Sequence, residues 1–262
     1  ADALRLLAEH GYRSVAITPD TCHLDPERTS DAELDAVARL LRELDLVPVM
    51  ETGARFLLDP RQKHEPTLMT VESAGRARRL EFYGRVAAMG ARLGARVVSF
   101  WTGIDRSPGP DSFDRVVAGV RATCERILAA GLVPSLEPEP GMAVATVADW
   151  QRVRAALGAE APRLTLDIGH LYAEWEGDPA AVVAASVPHL AQVHLEDMRR
   201  GVHEHLLPGT GEVDFAGVLS ALKNGAYAGP VCFELSRSSH QAPTAVGICR
   251  ELWQRCVGPS RR

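Results

Sequence analysis

The sequence predicts an α/β fold of the (β/α)8 barrel class, and three observations carry that prediction. Short apolar strands alternate with amphipathic helices along all 262 residues, which implies parallel strands joined by right-handed crossovers. No glycine-rich phosphate loop follows the first strand, as an open doubly wound sheet usually requires. Several strands end in an acid or a histidine at matched positions. Seven strands can be counted where a closed barrel needs eight. The first strand is therefore expected upstream of residue 1, in a chain that begins Ala1-Asp2-Ala3 already in a helical pattern. One domain over residues 1–262 is expected, because no linker or low-complexity segment interrupts the alternation.

Residues 2–10 place Leu4, Leu7 and Ala8 at helical spacing and stop at Gly11. Residues 14–17 read as a strand. Ser30 caps a helix running to residue 44, with Glu33 placed for a capping box and Leu34, Val37, Leu41 and Leu44 on one face. The strand 47–51 ends in Glu51. The polar stretch 52–70 carries Arg55, Arg61, Lys63 and His64; connections of that length are usually functional lids or disordered. Helix 71–93 leads to strand 96–100, helix 112–130 to strand 133–137, and helix 146–157 to strand 163–167. Helix 179–187 leads to strand 191–195, helix 214–223 to strand 230–234, and a last helix covers about 243–256.

Composition narrows the function classes. Hydrophobic residues make up 46% and charged residues 24%, ordinary for a soluble globular chain, and no apolar run approaches the ~20 residues of a membrane span. A cytoplasmic protein without a membrane partner is expected. A net charge of −5 argues against a nucleic-acid partner, since backbone binding needs a concentrated basic surface. Cys22, Cys124, Cys232, Cys249 and Cys256 are scattered with no C-x-x-C pair. They read as reduced thiols rather than a disulfide framework or a zinc knot.

Chemistry concentrates where the strands end. Val133-Pro134-Ser135-Leu136-Glu137, Arg163-Leu164-Thr165-Leu166-Asp167, Ala191-Gln192-Val193-His194-Leu195 and Pro230-Val231-Cys232-Phe233-Glu234 would bring two glutamates, an aspartate and a histidine to one face. Barrel enzymes carry their active sites at that face. With Glu137, Asp167, His194 and Glu234 pointing inward, the pleat also turns Ser135, Thr165, Gln192 and Cys232 inward. That is a polar floor, where a structural interior would favour bulky branched side chains. Three carboxylates and an imidazole suit one divalent ion: Mn²⁺, Mg²⁺, Co²⁺ or Zn²⁺. Without a cation the carboxylates would repel and take up protons. Taken singly, each acid could instead cap the next helix or pair with an arginine. Glu139 competes with Glu137, but Pro138 and Pro140 disfavour continuation of the strand, so Glu137 is preferred.

These segments carry a resemblance. Leu136-Glu137-Pro138, Leu166-Asp167-Ile168-Gly169-His170, Val193-His194-Leu195 and Phe233-Glu234-Leu235 resemble the metal-ligand segments of the xylose-isomerase-like TIM barrel superfamily. That superfamily includes ketose 3-epimerases, inosose dehydratases and the endonuclease IV type of DNA-repair enzyme, and the similarity extends over nearly the whole chain. The resemblance implies one divalent metal held by Glu137, Asp167, His194 and Glu234. It also implies substrate contacts from His170, in the D-x-x-H pair, and from Arg200, six positions after His194.

The activity it implies is a metal-dependent isomerase or epimerase of a small sugar, keto-sugar or sugar phosphate, acting by proton transfer through a metal-stabilised enediolate. Glu137 and Glu234 would be the catalytic bases; one on each face permits epimerisation, and a single base gives aldose-ketose isomerisation. A lyase or dehydratase of an inosose or keto-sugar shares the first step and is the alternative. A zinc-dependent AP endonuclease is more remote, since such enzymes also use histidines after early strands and the strand ends at Glu51 and Trp101 offer none.

Other residues stay open. Glu51 ends a strand and is a candidate substrate contact. His203 and His205, one residue apart in what reads as a loop, are solvated side chains, substrate contacts or extra metal ligands. Arg237 and His240 lie just beyond Glu234, where either could line the pocket. Arg55, Arg61, Lys63 and His64 read as a clamp for a phosphate or carboxylate or as a solvated basic loop. Glu196 and Asp197 read as acids behind the ligands or in solvent, Trp101 as an apolar wall, and Gly209-Thr210-Gly211 as a tight loop able to approach a ligand. The expected partner is a small polyhydroxylated substrate, and no organic cofactor is expected. A homodimer and a homotetramer both remain open as assemblies.

Overall fold

Ser30 opens a helix as its spacing predicts: its hydroxyl accepts from the Glu33 amide while the Glu33 carboxylate accepts from Ser30 N–H. Thr146 and Asp149 repeat the device, so two helices begin where reciprocal side-chain bonds satisfy otherwise orphaned amides. In the computed structural model, which describes residues 1–258, the chain runs α1 (Asp2–Glu9), β1 (Ser14–Ile17), α2 (Asp31–Glu43), β2 (Val47–Glu51), α3 (Ser73–Leu93), β3 (Val97–Phe100), α4 (Ser112–Ala129) and β4 (Val133–Leu136). It continues α5 (Val147–Leu157), β5 (Arg163–Asp167), α6 (Ile168–Ala173), α7 (Pro179–Ser186), β6 (Leu190–Leu195), β7 (Asp197–Arg199), β8 (Val202–Leu206), α8 (Phe215–Asn224), β9 (Val231–Phe233) and α9 (Ala242–Val257).

Seven strands form one parallel sheet in the order β1-β2-β3-β4-β5-β6-β9. The sheet curls until its edge strands meet through side chains, Ser14 Oγ lying 3.9 Å from Cys232 Sγ. This is a nearly closed barrel with helices around it, the fold the alternation predicts. Leu136, Leu164, Leu166, Val193 and Leu195 pack into one apolar cluster with Val120, Ile127, Val153 and Leu219 of the helices. Because alternate strand residues point to opposite faces, the residues between them face the barrel interior. That interior is layered. Val49, Val97 and Cys232, with Ala16 and Ala191 against them, make a separate apolar plug. Beside it Ser99, Ser135, Thr165 and Gln192 are all fully buried, and Thr165 donates to Ser135 Oγ. Ser135, Thr165 and Gln192 form the polar floor expected from the register, whereas Cys232, expected with them, belongs to the apolar plug.

Two elements depart from the expected pattern. Asp167 ends β5 and caps α6 directly, its side chain accepting from His170 N–H at 3.0 Å; a six-residue helix is too short to show a periodic face. The stretch read as a loop around His203 and His205 is instead the antiparallel hairpin β7–β8, pairing Asp197 with Leu206 and Arg199 with Val202. Asp197 is buried rather than solvated. Its carboxylate accepts from the amides of Met198, Gly209, Thr210 and Val213, so the Gly209-Thr210-Gly211 turn closes on Asp197.

Arg79, on α3, is fully buried. Its guanidinium lies 4.5 Å from the centroid of the Trp101 ring and donates to Thr52 O at 3.1 Å, tying the ends of β2 and β3 to the helix behind them. All five cysteines are unpaired. Among the described residues, no helix is long and apolar enough to cross a membrane.

Candidate metal centre

The strand ladder reaches one residue past β4 and β9: Glu137 N–H donates to Phe100 O and Glu234 N–H to Leu195 O, each at 2.9 Å. Both glutamates therefore keep the inward direction set by the pleat. Asp167 and His194 are register partners on neighbouring strands. The result is a convergence on one imidazole nitrogen. His194 Nδ1 lies 2.9 Å from Glu137 Oε1, 3.1 Å from Glu234 Oε2 and 3.8 Å from Asp167 Oδ2. One ligand atom from each of the four residues falls within 4.8 Å of the others. Glu137, Asp167 and His194 are buried, and the Glu234 side chain is 40% exposed, facing the mouth. Three carboxylates and an imidazole in that space are a donor set for a hard or borderline divalent cation. The residues fit such an ion.

The electrostatics agree with the need for positive charge. Burial pushes the Glu137 carboxyl up to about 7 despite the opposing pull of His194. His194 is held well above its ordinary value: burial opposes the charge, but the Glu137 and Glu51 carboxylates outweigh it. His170 likewise rises to about 9 against burial, through Asp167 and Glu139. Glu234 is drawn below the usual carboxylate range, since the hydrogen bond and charge of His194 outweigh burial. Three clustered carboxylates require positive charge beside them, which a bound cation would supply. Glu196 is wholly buried beside Asp167, and burial first, then the Asp167 charge, pushes its carboxyl well above the usual carboxylate range.

The other residues singled out from the sequence separate into near and far. Glu51 reaches His194 from the opposite side, its Oε1 3.1 Å from Nε2, and accepts from Gln192 Nε2. His170 lies one helical turn from Asp167, with Nδ1 3.0 Å from Pro138 O and Nε2 3.7 Å from Glu139 and 3.8 Å from Asp167. His203 and His205 share one face of β8, with ring centroids 4.9 and 6.2 Å from that of His170. Burial and the neighbouring histidines lower His203 to about 4. Glu139 faces this histidine group, 3.8 Å from His203 Nε2, while Glu137 lies against His194.

Arg200 is exposed in the turn of the hairpin, over the Trp175 ring at 5.3 Å and 3.9 Å from Glu212, and Arg237 is exposed in the turn after Glu234. Arg55 is exposed and 3.8 Å from Asp20. His64 packs edge-on against the buried Trp101, and burial lowers it to about 4. The sequence places Gln192 in the polar floor and Glu139 beside Glu137, but the hydrogen bond from Gln192 to Glu51 joins distant strands and carries no local signal.

Comparison with known proteins bears on the same fold. The profile of the xylose isomerase-like TIM barrel family matches residues 4–252. An L-ribulose-5-phosphate 3-epimerase, UlaE, of Shigella flexneri serotype 5b (strain 8401) is 25% identical over 248 residues, covering 93% of this chain and 84% of that protein. Among solved structures, a D-allulose 3-epimerase from Methylomonas sp. matches with a TM-score of 0.77 at 20% identity, over 97% of this chain and 90% of that one. An IolI protein with a bound zinc atom matches with a TM-score of 0.76 at 19% identity, over 97% and 91%. At these identities the two structures speak for the fold.

Proposed function

Since the chain belongs to the xylose isomerase-like TIM barrel family, we propose that it is an isomerase or epimerase of a small sugar, keto-sugar or sugar phosphate. One divalent cation held by Glu137, Asp167, His194 and Glu234 would serve it. The observation that carries this reading is the approach of two glutamates, from strands that are not neighbours, to the same nitrogen of His194. A further support is the L-ribulose-5-phosphate 3-epimerase among the relatives, which makes a ketopentose phosphate the first substrate to try.

The bound cation supplies Lewis acidity, polarising a carbonyl and acidifying the hydrogen on the carbon beside it. Glu234 stands at the mouth, partly exposed, and removes that proton on one face of the substrate. Glu137, approaching His194 from a strand that is not a neighbour of the one carrying Glu234, returns a proton on the other face. His170, anchored through Nδ1 to Pro138 O, turns Nε2 toward the carboxylates and can bind a substrate hydroxyl, and His205 lies next to it. Arg200 and Arg237 would meet substrate only through groups reaching beyond the metal centre.

The test is incubation of the Mn²⁺-loaded protein with a panel of ketoses and ketose phosphates in deuterated water. Deuterium exchange beside the carbonyl with a stereoisomeric product supports the reading. Loss of water from the substrate would instead identify a dehydratase, and no exchange with any member would sink both.

A further inference from the structure

The two ring nitrogens of His194 have different surroundings. Nδ1 faces Glu137, Asp167 and Glu234, whereas Nε2 faces Glu51 Oε1 at 3.1 Å. A neutral imidazole has one lone pair and one N–H. A cation held among the three carboxylates would take the lone pair of Nδ1 and leave the proton on Nε2. We infer that Glu51 is a positioning residue that accepts the Nε2–H hydrogen bond of His194, fixing the tautomer and ring orientation in which Nδ1 can ligate. This inference rests on the proposed four-residue ligand set. It gives Glu51 a different task from the substrate contact expected of it.

The carboxylate is itself held for this role. Glu51 ends β2, its side chain only 16% exposed. β2 and β6 are not neighbours in the sheet, so the bond spans the barrel mouth. Gln192, fully buried and two residues before His194 on the same strand, donates to the same Glu51 oxygen and also lies against His194 Nε2. Glu51 is thus tied to β6 at two successive inward positions. A carboxylate behind a ligating histidine makes the ring a better donor, and loss of such a partner typically weakens metal binding about 10- to 100-fold.

The experiment uses the full chain with Co²⁺ alone, measuring affinity by competition with a chromophoric chelator and coordination by the visible d–d absorption. The wild type is expected to bind one Co²⁺ and His194→Ala to bind it much more weakly. Glu51→Ala should weaken binding about 10- to 100-fold and alter the d–d band. Glu51→Gln, of the same shape and with an amide oxygen that still accepts from Nε2–H, should restore most of both. If His194→Ala binds Co²⁺ as the wild type does, the ligand set fails and this inference goes with it. If His194→Ala is weakened but Glu51→Ala binds and absorbs like the wild type, the ligand set stands and the role of Glu51 is overturned. Equal losses in Glu51→Gln and Glu51→Ala would also overturn it, because an acceptor of the right shape would then not suffice.

Discussion

Thr165 donates its hydroxyl to Ser135 Oγ at 2.7 Å, one inward layer beneath Asp167 and Glu137. Both side chains are fully buried, so the pair braces β4 against β5 directly under two of the proposed ligands. Thr165→Val keeps the shape and removes the donor, leaving a buried hydroxyl without that partner. Urea unfolding should show a loss of about 1–3 kcal/mol; an unchanged midpoint would mean that the pair does not brace the strands.

Glu234→Gln should lower kcat by at least about 10²-fold. The side chain is partly exposed at the mouth, so stability should change by less than about 1 kcal/mol. Steady-state kinetics with whichever ketose proves to be the substrate provides the measurement. Activity retained by this variant would remove Glu234 from the proton-transfer pair.

Chelation should destabilise the protein, because three clustered carboxylates lose the charge that holds them together. Adding Mn²⁺ at about 100 times its dissociation constant should raise stability by about 2.7 kcal/mol, visible as a rise in Tm that a chelator reverses. His194→Ala should abolish most of that rise and lower the metal content found by elemental analysis. A metal response identical to wild type would exclude His194 from the site.

Gly169 sits where a Cβ would run into the Glu196 carboxylate and come within 2.6 Å of the Met198 methyl. Gly169→Ala should therefore destabilise by about 1–3 kcal/mol through overpacking, and it should weaken metal uptake by displacing the acid behind Asp167. Thermal unfolding and a metal titration of the same sample read both effects.

His64 gives the pH dependence a definite sign. Burial, reinforced by Lys63, Arg79 and Arg55, lowers it from its ordinary 6.5 to about 4 in the folded chain, so between these values the unfolded chain binds the proton more readily. Its contribution to stability is present above pH 6.5 and is lost as the pH falls toward 4. His64→Asn should flatten that part of the stability curve, measured by urea unfolding between pH 7 and 4. Asparagine tolerates the positive φ of 69° found there. Parallel curves for the two proteins would contradict the shift.

Much of this was legible in the sequence because a barrel strand advertises its end. An apolar run that stops at Glu137, Asp167, His194 or Glu234 names both the element and the inward direction of its last residue. The hairpin β7–β8 was not legible: Val202, Glu204 and Leu206 alternate with two histidines, so neither face looks apolar. Arg79 looks like a solvated charge until its helix neighbours Phe82 and Tyr83, three and four residues on, are seen to share its buried face. The pairing of Glu51 with His194 joins residues 143 positions apart on non-adjacent strands, a relation that no local pattern encodes.

The backbone amides of Glu137 and Glu234 are bonded into the sheet, to Phe100 O and Leu195 O. The distance between the two acids is consequently a dimension of the barrel wall, insensitive to whatever the surface segments do. In the proposed reaction, moving a proton across the substrate would demand only torsional rotation of side chains, above all of the partly exposed Glu234. Under that proposal, new specificities would arise by exchanging the segment 52–70 while Glu137 and Glu234 keep their backbone anchors.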